Sequence, residues 1–314
     1  MLVYKDAKIL DAKLINLLDF LQEGDVLVFN NAQVIKAKMT GVAKRNGAVI
    51  HFNLDQEVAP KIWRALGRKI NKIKDGDVLE IAPDFFVEVE KKLEDGFLLL
   101  KFLDDDYLAK IEKYGCVPLP PYIKRDEENE DDEKNYQTIY ASQGAAVAAP
   151  TAGLHFTDKI FAMLDAKGEK KVFVTLNVGA GTFLPMRCEK IADHKMHEES
   201  FSIDAQTAKT INEARAAGAR IVAVGTTSLR VLESVADENG MLKEAKNKTQ
   251  IFIYPPYKFK VVDILMTNFH LPKSTLFMLV CAFVGKDRAY EIYNHAMQNN
   301  YRFYSYGDAS LLIR

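Results

Sequence analysis

The chain has 314 residues, a net charge of −1, an apolar fraction of 48% and a charged fraction of 27%, the values of a globular protein of one large or two medium domains. Its longest uninterrupted apolar run, at 276–284, has nine residues, against roughly 20 for a membrane span. Lys5, Asp6 and Lys8 break any export signal, so no membrane or secretory route is expected. Cys116, Cys188 and Cys281 are scattered and odd in number, which excludes a disulfide frame or a paired-cysteine metal site and predicts reduced thiols in a cytoplasmic protein.

Residues 2–4 read as a strand. Short apolar runs follow at 26–30, 34–41, 48–54, 62–66, 78–81, 85–93 and 97–102, separated by turn signals such as Lys74-Asp-Gly76 and Glu94-Asp-Gly96. Many short strands at close spacing predict a small barrel or sandwich, and Asp95-Gly96 marks a hairpin. A short helix is expected at 108–114, then a stiff extended connector at Pro118-Leu-Pro-Pro-Tyr122. Residues 126–133 hold seven acidic side chains in eight positions and read as a solvated loop. Without them the charge balance is +6, compatible with a basic face or with an even spread. From Tyr136 onward helices and strands alternate. Helices are predicted at 157–167, capped by Thr157 and ended by Gly168, and at 204–217, capped by Asp204 and ended by Gly218. Strand 221–224, helix 227–235, strands 250–253 and 263–267, helix 274–284 and a last helix at 288–299 complete an α/β pattern with a parallel or mixed sheet.

Three segments end a strand in a polar turn. Asp263-Ile-Leu-Met-Thr-Asn-Phe-His-Leu-Pro-Lys-Ser274 brings Asn268, His270, Lys273 and Ser274 together before a helix. Arg220-Ile-Val-Ala-Val-Gly-Thr-Thr-Ser-Leu-Arg230 places Gly225, Thr226, Thr227 and Ser228 at a helix start, and Lys171-Val-Phe-Val-Thr-Leu-Asn-Val-Gly-Ala-Gly-Thr182 runs into a Gly-rich turn. Each reads equally as a capped connection or as part of a site lined by amides and hydroxyls. Neither of the two commonest nucleotide-loop patterns is present. His194 and His197, with Glu198 and Glu199 beside them, have spacing for a helical metal site but lack a third ligand; exposed or substrate-binding histidines are the alternatives. His155, between Leu154 and Phe156, is either a core imidazole or a site group ahead of a helix N-terminus. Arg230 and Glu233, one helical turn apart, read as a surface ion pair unless Arg230 turns back toward Gly225. Arg230 and His270 are expected to be removable with loss of activity and little loss of stability. The stretch Tyr301-Arg-Phe-Tyr-Ser-Tyr-Gly-Asp308 suits either purine stacking beside a carboxylate or a packed strand.

Taken together, Gly24-Asp-Val-Leu-Val-Phe-Asn30, Pro118–Ile123, Tyr136–Ala141, Ala145–Phe156, Val174–Pro185, His194-Lys-Met-His-Glu198, Ala223–Ser234, Asp263–Phe283 and Arg302–Asp308 resemble the S-adenosylmethionine:tRNA ribosyltransferase-isomerases of the queuosine pathway. The resemblance runs in the family's order over nearly the whole chain. It implies a large α/β domain with a mixed sheet, over 1–42 and 115–314, and a smaller inserted all-β barrel domain over 43–114. It implies that the ribosyl part of S-adenosylmethionine moves to 7-aminomethyl-7-deazaguanine at the wobble position of a tRNA. There it rearranges to epoxyqueuosine as adenine and methionine leave. No cofactor or metal is then expected, because S-adenosylmethionine is consumed as a substrate, and the partner is tRNA, bound by a monomer.

The chemistry needs proton transfers, and His155, His197, His270 and Asp308 are the candidates for them. The substrate-binding candidates are Thr151, Gly153, Gly179, Gly181, Thr182, Gly225, Thr226, Thr227, Ser228, Arg230, Glu233, Asn268, Lys273 and Ser274; for tRNA they are Lys124, Arg125, Arg187 and Arg302. There are departures from the family pattern. Asn177 stands where a His is usual, Pro256 where a Gly is, and Asn31-Ala-Gln33 replaces Asp-Thr-Arg. The family ordinarily starts upstream of Met1 with an Arg-rich stretch, so a truncated or misassigned start, with weaker tRNA binding and lower activity, is expected. A metal-dependent hydrolase using His194 and His197, and a non-catalytic RNA-binding protein, are the alternatives.

Overall fold

Alternating burial along the strands of residues 38–102 is the pattern of a closed surface with one inner face. In the computed structural model, which describes residues 1–120, 122–123, 130–183 and 191–314, the strands in chain order are β1 (Leu2–Lys5), β2 (Lys8–Asp11), β3 (Val26–Asn30), β4 (Ala32–Val34), β5 (Lys38–Ala43), β6 (Val49–Ala59), β7 (Ile62–Arg68), β8 (Val78–Ala82), β9 (Phe85–Lys92), β10 (Phe97–Phe102), β11 (Gln143–Ala146), β12 (Lys170–Leu176), β13 (Glu199–Ile203), β14 (Ile221–Val224), β15 (Ala245–Thr249), β16 (Ile264–Asn268) and β17 (Ala309–Ile313). The helices are α1 (Tyr107–Tyr114), α2 (Glu130–Asn135), α3 (Asp158–Lys167), α4 (Ala205–Ala216), α5 (Thr226–Val235), α6 (Thr275–Val284) and α7 (Lys286–Gln298).

Strands β5 to β10 close into an antiparallel barrel in the order β10-β7-β6-β5-β8-β9. Trp63, Ala65, Phe85, Val87, Val89, Leu98, Leu100 and Phe102 fill its interior at every second position, as a two-residue period requires. Asp95 and Gly96 both take positive φ, 55° and 84°, and form the hairpin between β9 and β10. Ile111 of α1 packs onto this core.

The large unit is a nine-stranded sheet in the order β15-β13-β12-β3-β14-β16-β17-β1-β2. Its β12, β3, β14 and β16 are parallel, and β17 runs antiparallel to β16. The central strands β3, β14, β16 and β17 are buried at every position, because both faces are covered. On one face Val26, Val28, Ala223 and Leu265 meet residues of α4, α5, α6 and α7. On the other, Leu27, Phe29, Val224 and Met266 meet Phe156 and α3. Thr157, Asp204 and Ser274 cap α3, α4 and α6 through their side-chain oxygens, each accepting a free backbone N–H.

Three expectations change. The run expected at 34–41 is two strands, since β4, ending at Val34, pairs with β11 in a separate two-stranded sheet and the chain enters the barrel only at Lys38. Strand β5 therefore straddles the boundary placed at 42/43. The strand expected at 250–253 lies earlier, at β15, where exposed Lys246, Asn247 and Lys248 pair with β13 at the sheet edge; Ile253 instead packs in the core outside any strand. The second half of the acidic octet is helix α2 rather than loop; its first half, like Lys124, Arg125, Arg187 and Cys188, lies outside the described residues.

Candidate active site

The C-terminal ends of parallel strands in an open α/β sheet leave a crevice where the chain turns into helices. Here β14 ends at Val224, Gly225 follows at φ 90°, a backbone that favours glycine, and α5 starts at Thr226. Strand β16 ends at Asn268, and its turn leads through His270 to Ser274 and α6. Between these turns lies a cavity lined by Thr151, Thr182, Glu199, Gly225, Thr226, Thr227, Arg230, Thr267, Asn268, His270, Ser274, Tyr122, Tyr136, Tyr304 and Ser305, among others. The three polar turns singled out in the sequence thus meet at one place.

Arg230 is the charged group of this wall. The residue is 6% exposed, and its guanidinium pairs with Glu199, also 6% exposed. Its Nε and Nη2, and Thr227 Oγ1, are buried with no hydrogen-bond partner among the described residues. Buried donors are ordinarily satisfied, so these stand out. The partner is not Glu233. That carboxylate accepts the backbone N–H groups of Lys260, Val261 and Val262 at 2.9, 3.1 and 3.2 Å and the Tyr257 hydroxyl at 3.3 Å. Glu233 is thus committed to the 260–262 segment, away from the cavity. Ser228 is likewise fully buried, its Oγ donating to Val224 O at 2.9 Å.

Asn268 ties the turns together. Its Oδ1 accepts from Thr151 Oγ1 at 3.2 Å, and its Nδ2 faces Tyr304 O at 3.1 Å, Ser305 O at 3.4 Å and His155 Nε2 at 3.2 Å. The two carbonyls fix the amide orientation, so His155 Nε2 accepts and its proton sits on Nδ1. Burial lowers His155 to about 4, matching a neutral acceptor. Burial also lowers His270, which lines the cavity, to about 4; its Nε2 lies 2.8 Å from Thr267 Oγ1.

His155, Asp308 and His197 lie outside the cavity lining. Asp308 is raised by burial, but the Arg302 backbone N–H at 2.8 Å and the Arg302 guanidinium hold it below its usual value on balance. His197 packs against Phe97 of the barrel with ring centroids 5.9 Å apart, and His194 against Phe252 at 5.3 Å. Burial, then the neighbouring His197, lowers His194. Among the described residues no group of three His, Cys, Asp or Glu side chains could hold a metal ion.

Gly153, Gly179 and Gly181 serve packing: a Cβ at each would overlap Tyr140 Oη, Asp55 Oδ1 and the His197 ring. Lys273 is exposed at φ 62°. Asn177 bridges strands, accepting from Ala145 N at 2.9 Å and donating to Ser200 Oγ at 3.0 Å.

Sequence reasoning missed Glu199 as the partner of Arg230, because the two are 31 positions apart and no periodic pattern links them. It also missed Tyr122, which stacks on Tyr304 with centroids 4.6 Å apart and shares a 2.6 Å hydrogen bond with Ser305 Oγ.

A family model described as "Queuosine biosynthesis protein" matches residues 1–312. The S-adenosylmethionine:tRNA ribosyltransferase-isomerase of Mesorhizobium japonicum is 50% identical over 329 aligned positions, covering 100% of this chain and 91% of that protein. The protein of the same name from Gluconobacter oxydans is 51% identical, covering 94% and 86%. The crystal structure of the Thermotoga maritima S-adenosylmethionine tRNA ribosyltransferase superposes with a TM-score of 0.55 at 35% identity, covering 99% of this chain and 91% of that one. With three polar strand-end turns, a buried arginine and an inserted barrel in place, and with matches along its whole length, this chain belongs to the queuosine biosynthesis protein family.

Proposed function

We propose that the cavity binds S-adenosylmethionine and that the protein transfers and isomerises its ribosyl moiety onto 7-aminomethyl-7-deazaguanine at the tRNA wobble position, giving epoxyqueuosine and releasing adenine and methionine. The observation that carries this reading for the site is Arg230. A buried guanidinium with two free donor groups is costly unless a ligand meets it, and a carboxylate meets it in bidentate fashion. The methionine carboxylate is that ligand, and Glu199 beside it accepts from the α-ammonium. Thr226 and Thr227, in the first turn of α5, supply hydroxyls to the ribose. Tyr304 and Tyr122 give a stacking face at the cavity edge for a nucleobase.

The bond changes balance without a redox partner. The sulfonium acidifies C5′ and a base removes a proton there; the neutral amine of the acceptor replaces the ring oxygen at C4′ and gives up a proton. C5′ bonds to C1′ as the C1′–adenine bond breaks with its electrons on the purine, which takes up a proton. The freed oxygen, still on C1′, displaces methionine from C5′ with the bond electrons going to sulfur, closing the epoxide. Of the four proton-transfer candidates, His270 is the one on the cavity wall; kept neutral by burial, it is in the state that can accept a proton. S-adenosylmethionine is consumed as a substrate with no further cofactor, and the enzyme works as a cytoplasmic monomer.

The test is incubation with S-adenosylmethionine and tRNA carrying the deazaguanine precursor. Adenine and methionine should appear in equal amounts, only with tRNA, and chelators should not change the rate. No adenine release, or activity restored by one divalent metal after chelation, overturns the reading.

A further inference from the structure

We propose that Asp55, a residue of the barrel, is a positioning residue for the S-adenosylmethionine site; this rests on the function proposed above. Asp55 lies in β6, 4% exposed. Its Oδ1 accepts the backbone N–H of Ala180 at 2.6 Å, and its Oδ2 holds the Arg64 guanidinium at 2.5 Å. Ala180 belongs to the Gly179–Thr182 turn, whose Thr182 lines the cavity. The carboxylate is thus bonded to the turn from the barrel side.

The same turn is gripped from a second direction. Gly181 lies directly under the His197 ring, and Gly179 directly under Asp55, so neither has room for a Cβ. His197 packs on Phe97, and the Arg64 guanidinium lies over the Phe97 ring, 5.0 Å from its centroid. The contacts form a closed circuit: turn, His197, Phe97, Arg64, Asp55 and back to the turn. Asp55, Arg64 and Phe97 of that circuit are barrel residues. Ala180 is fully buried and packs into the barrel's core cluster together with Val147.

A glycine-rich turn has many conformations open to it, and fixing it costs entropy. A charge-assisted hydrogen bond from a buried carboxylate selects one of them. The barrel therefore does more than enlarge the surface. It sets the conformation of one wall of the donor site, and the two glycines are the accommodation the turn makes to it.

Four variants test this: Asp55→Ala, Asp55→Asn, Gly179→Ala and the Asp55→Ala/Gly179→Ala double. Direct calorimetric binding of S-adenosylmethionine is measured with steady-state kinetics for both substrates and thermal melting. Loss of one charge-assisted hydrogen bond predicts a KM and Kd for S-adenosylmethionine raised roughly tenfold in Asp55→Ala, with the KM for tRNA little changed. Asp55→Asn, which keeps the acceptor oxygen, recovers most of that loss. Gly179→Ala raises the same KM in the wild-type background but has little further effect once Asp55 is alanine, so the cycle is non-additive. If Asp55→Ala does not fold, Asp55→Asn and Gly179→Ala still decide the matter. A lowered melting temperature with donor KM and Kd within roughly twofold of wild type, or an additive cycle, overturns the proposal and leaves Asp55 as a domain tie. Absence of adenine release by the wild-type protein would instead defeat the underlying function.

Discussion

The Arg230–Glu199 pair changes what a single substitution at the site can reveal. Arg230 sits in the second turn of α5, where a surface residue would be cheap to remove, but its burial with Glu199 makes truncation expensive. Arg230→Ala leaves a buried carboxylate unpaired and is expected to cost about 3 kcal/mol or more, read as a shift in the urea midpoint, along with activity. Replacing both partners, Arg230→Met with Glu199→Gln, should restore much of the stability and none of the turnover. Recovered turnover in the double variant would show that the pair is a structural element and that the donor is held elsewhere. The two buried imidazoles give a pH signature. His155 and His270 are lowered to about 4 from 6.5 in the fold, so between those values the unfolded chain binds more protons. Their stabilisation is complete above about pH 6.5 and is lost as pH falls toward 4, by about 3 kcal/mol for each. Urea midpoints at pH 7 and pH 5 should differ accordingly, and His155→Gln should show a shallower loss; an unchanged loss in that variant would mean that His155 is not held neutral.

At the scale of elements, helix α5 shows what sequence pattern can and cannot deliver. Its β-branched strand, glycine turn and hydroxyl-rich first turn were legible, because each follows from local backbone chemistry. So were the barrel strands and the caps of α3, α4 and α6. The partners of α5's charged residues were not legible. Arg230 and Glu233 are one turn apart and predict each other, yet one pairs with Glu199 of β13 and the other with three backbone amides of residues 260–262. Tertiary burial decides such choices, and nothing in a helical period encodes it. The same holds for β15, whose lysine- and asparagine-rich sequence reads as loop until β13 supplies a pairing edge. It holds for Tyr122 and Tyr304, which meet across 182 positions. A test separates the two roles on α5. Glu233→Ala leaves the buried N–H groups of Val261 and Val262 and the part-buried one of Lys260 without their acceptor and should lower stability by about 3 kcal/mol, while the KM for S-adenosylmethionine, measured in the cold where the variant stays folded, should hardly move. A donor KM that rises as far as that of Arg230→Lys would return Glu233 to the binding site.

At the scale of the whole molecule, a protein of net charge −1 is read as a binder of polyanionic tRNA, and this requires its charge to be segregated. Among the described residues Arg68, Lys69, Lys72 and Lys74 stand exposed at one end of the barrel, with Asp75, Glu94 and Asp95 also exposed there, and Lys273 stands exposed in the turn between Leu271 and Ser274 of the cavity lining. Arg302, although its side chain is 75% exposed, is not equivalent to Lys273, because Asp308 lies 3.3 Å from its guanidinium and cancels much of its field. Counterion release from phosphate makes binding weaken with salt in proportion to the number of contacts. The affinity for tRNA should therefore fall steeply between low and physiological salt despite the net charge. Lys273→Gln should reduce the slope of log affinity against log salt by about 1. Arg302→Gln should reduce it by less, because the charge removed is already paired. Equal slopes for wild type and Lys273→Gln would place the phosphate contacts away from the cavity mouth, and a flat wild-type profile would mean that base and shape contacts alone hold the tRNA.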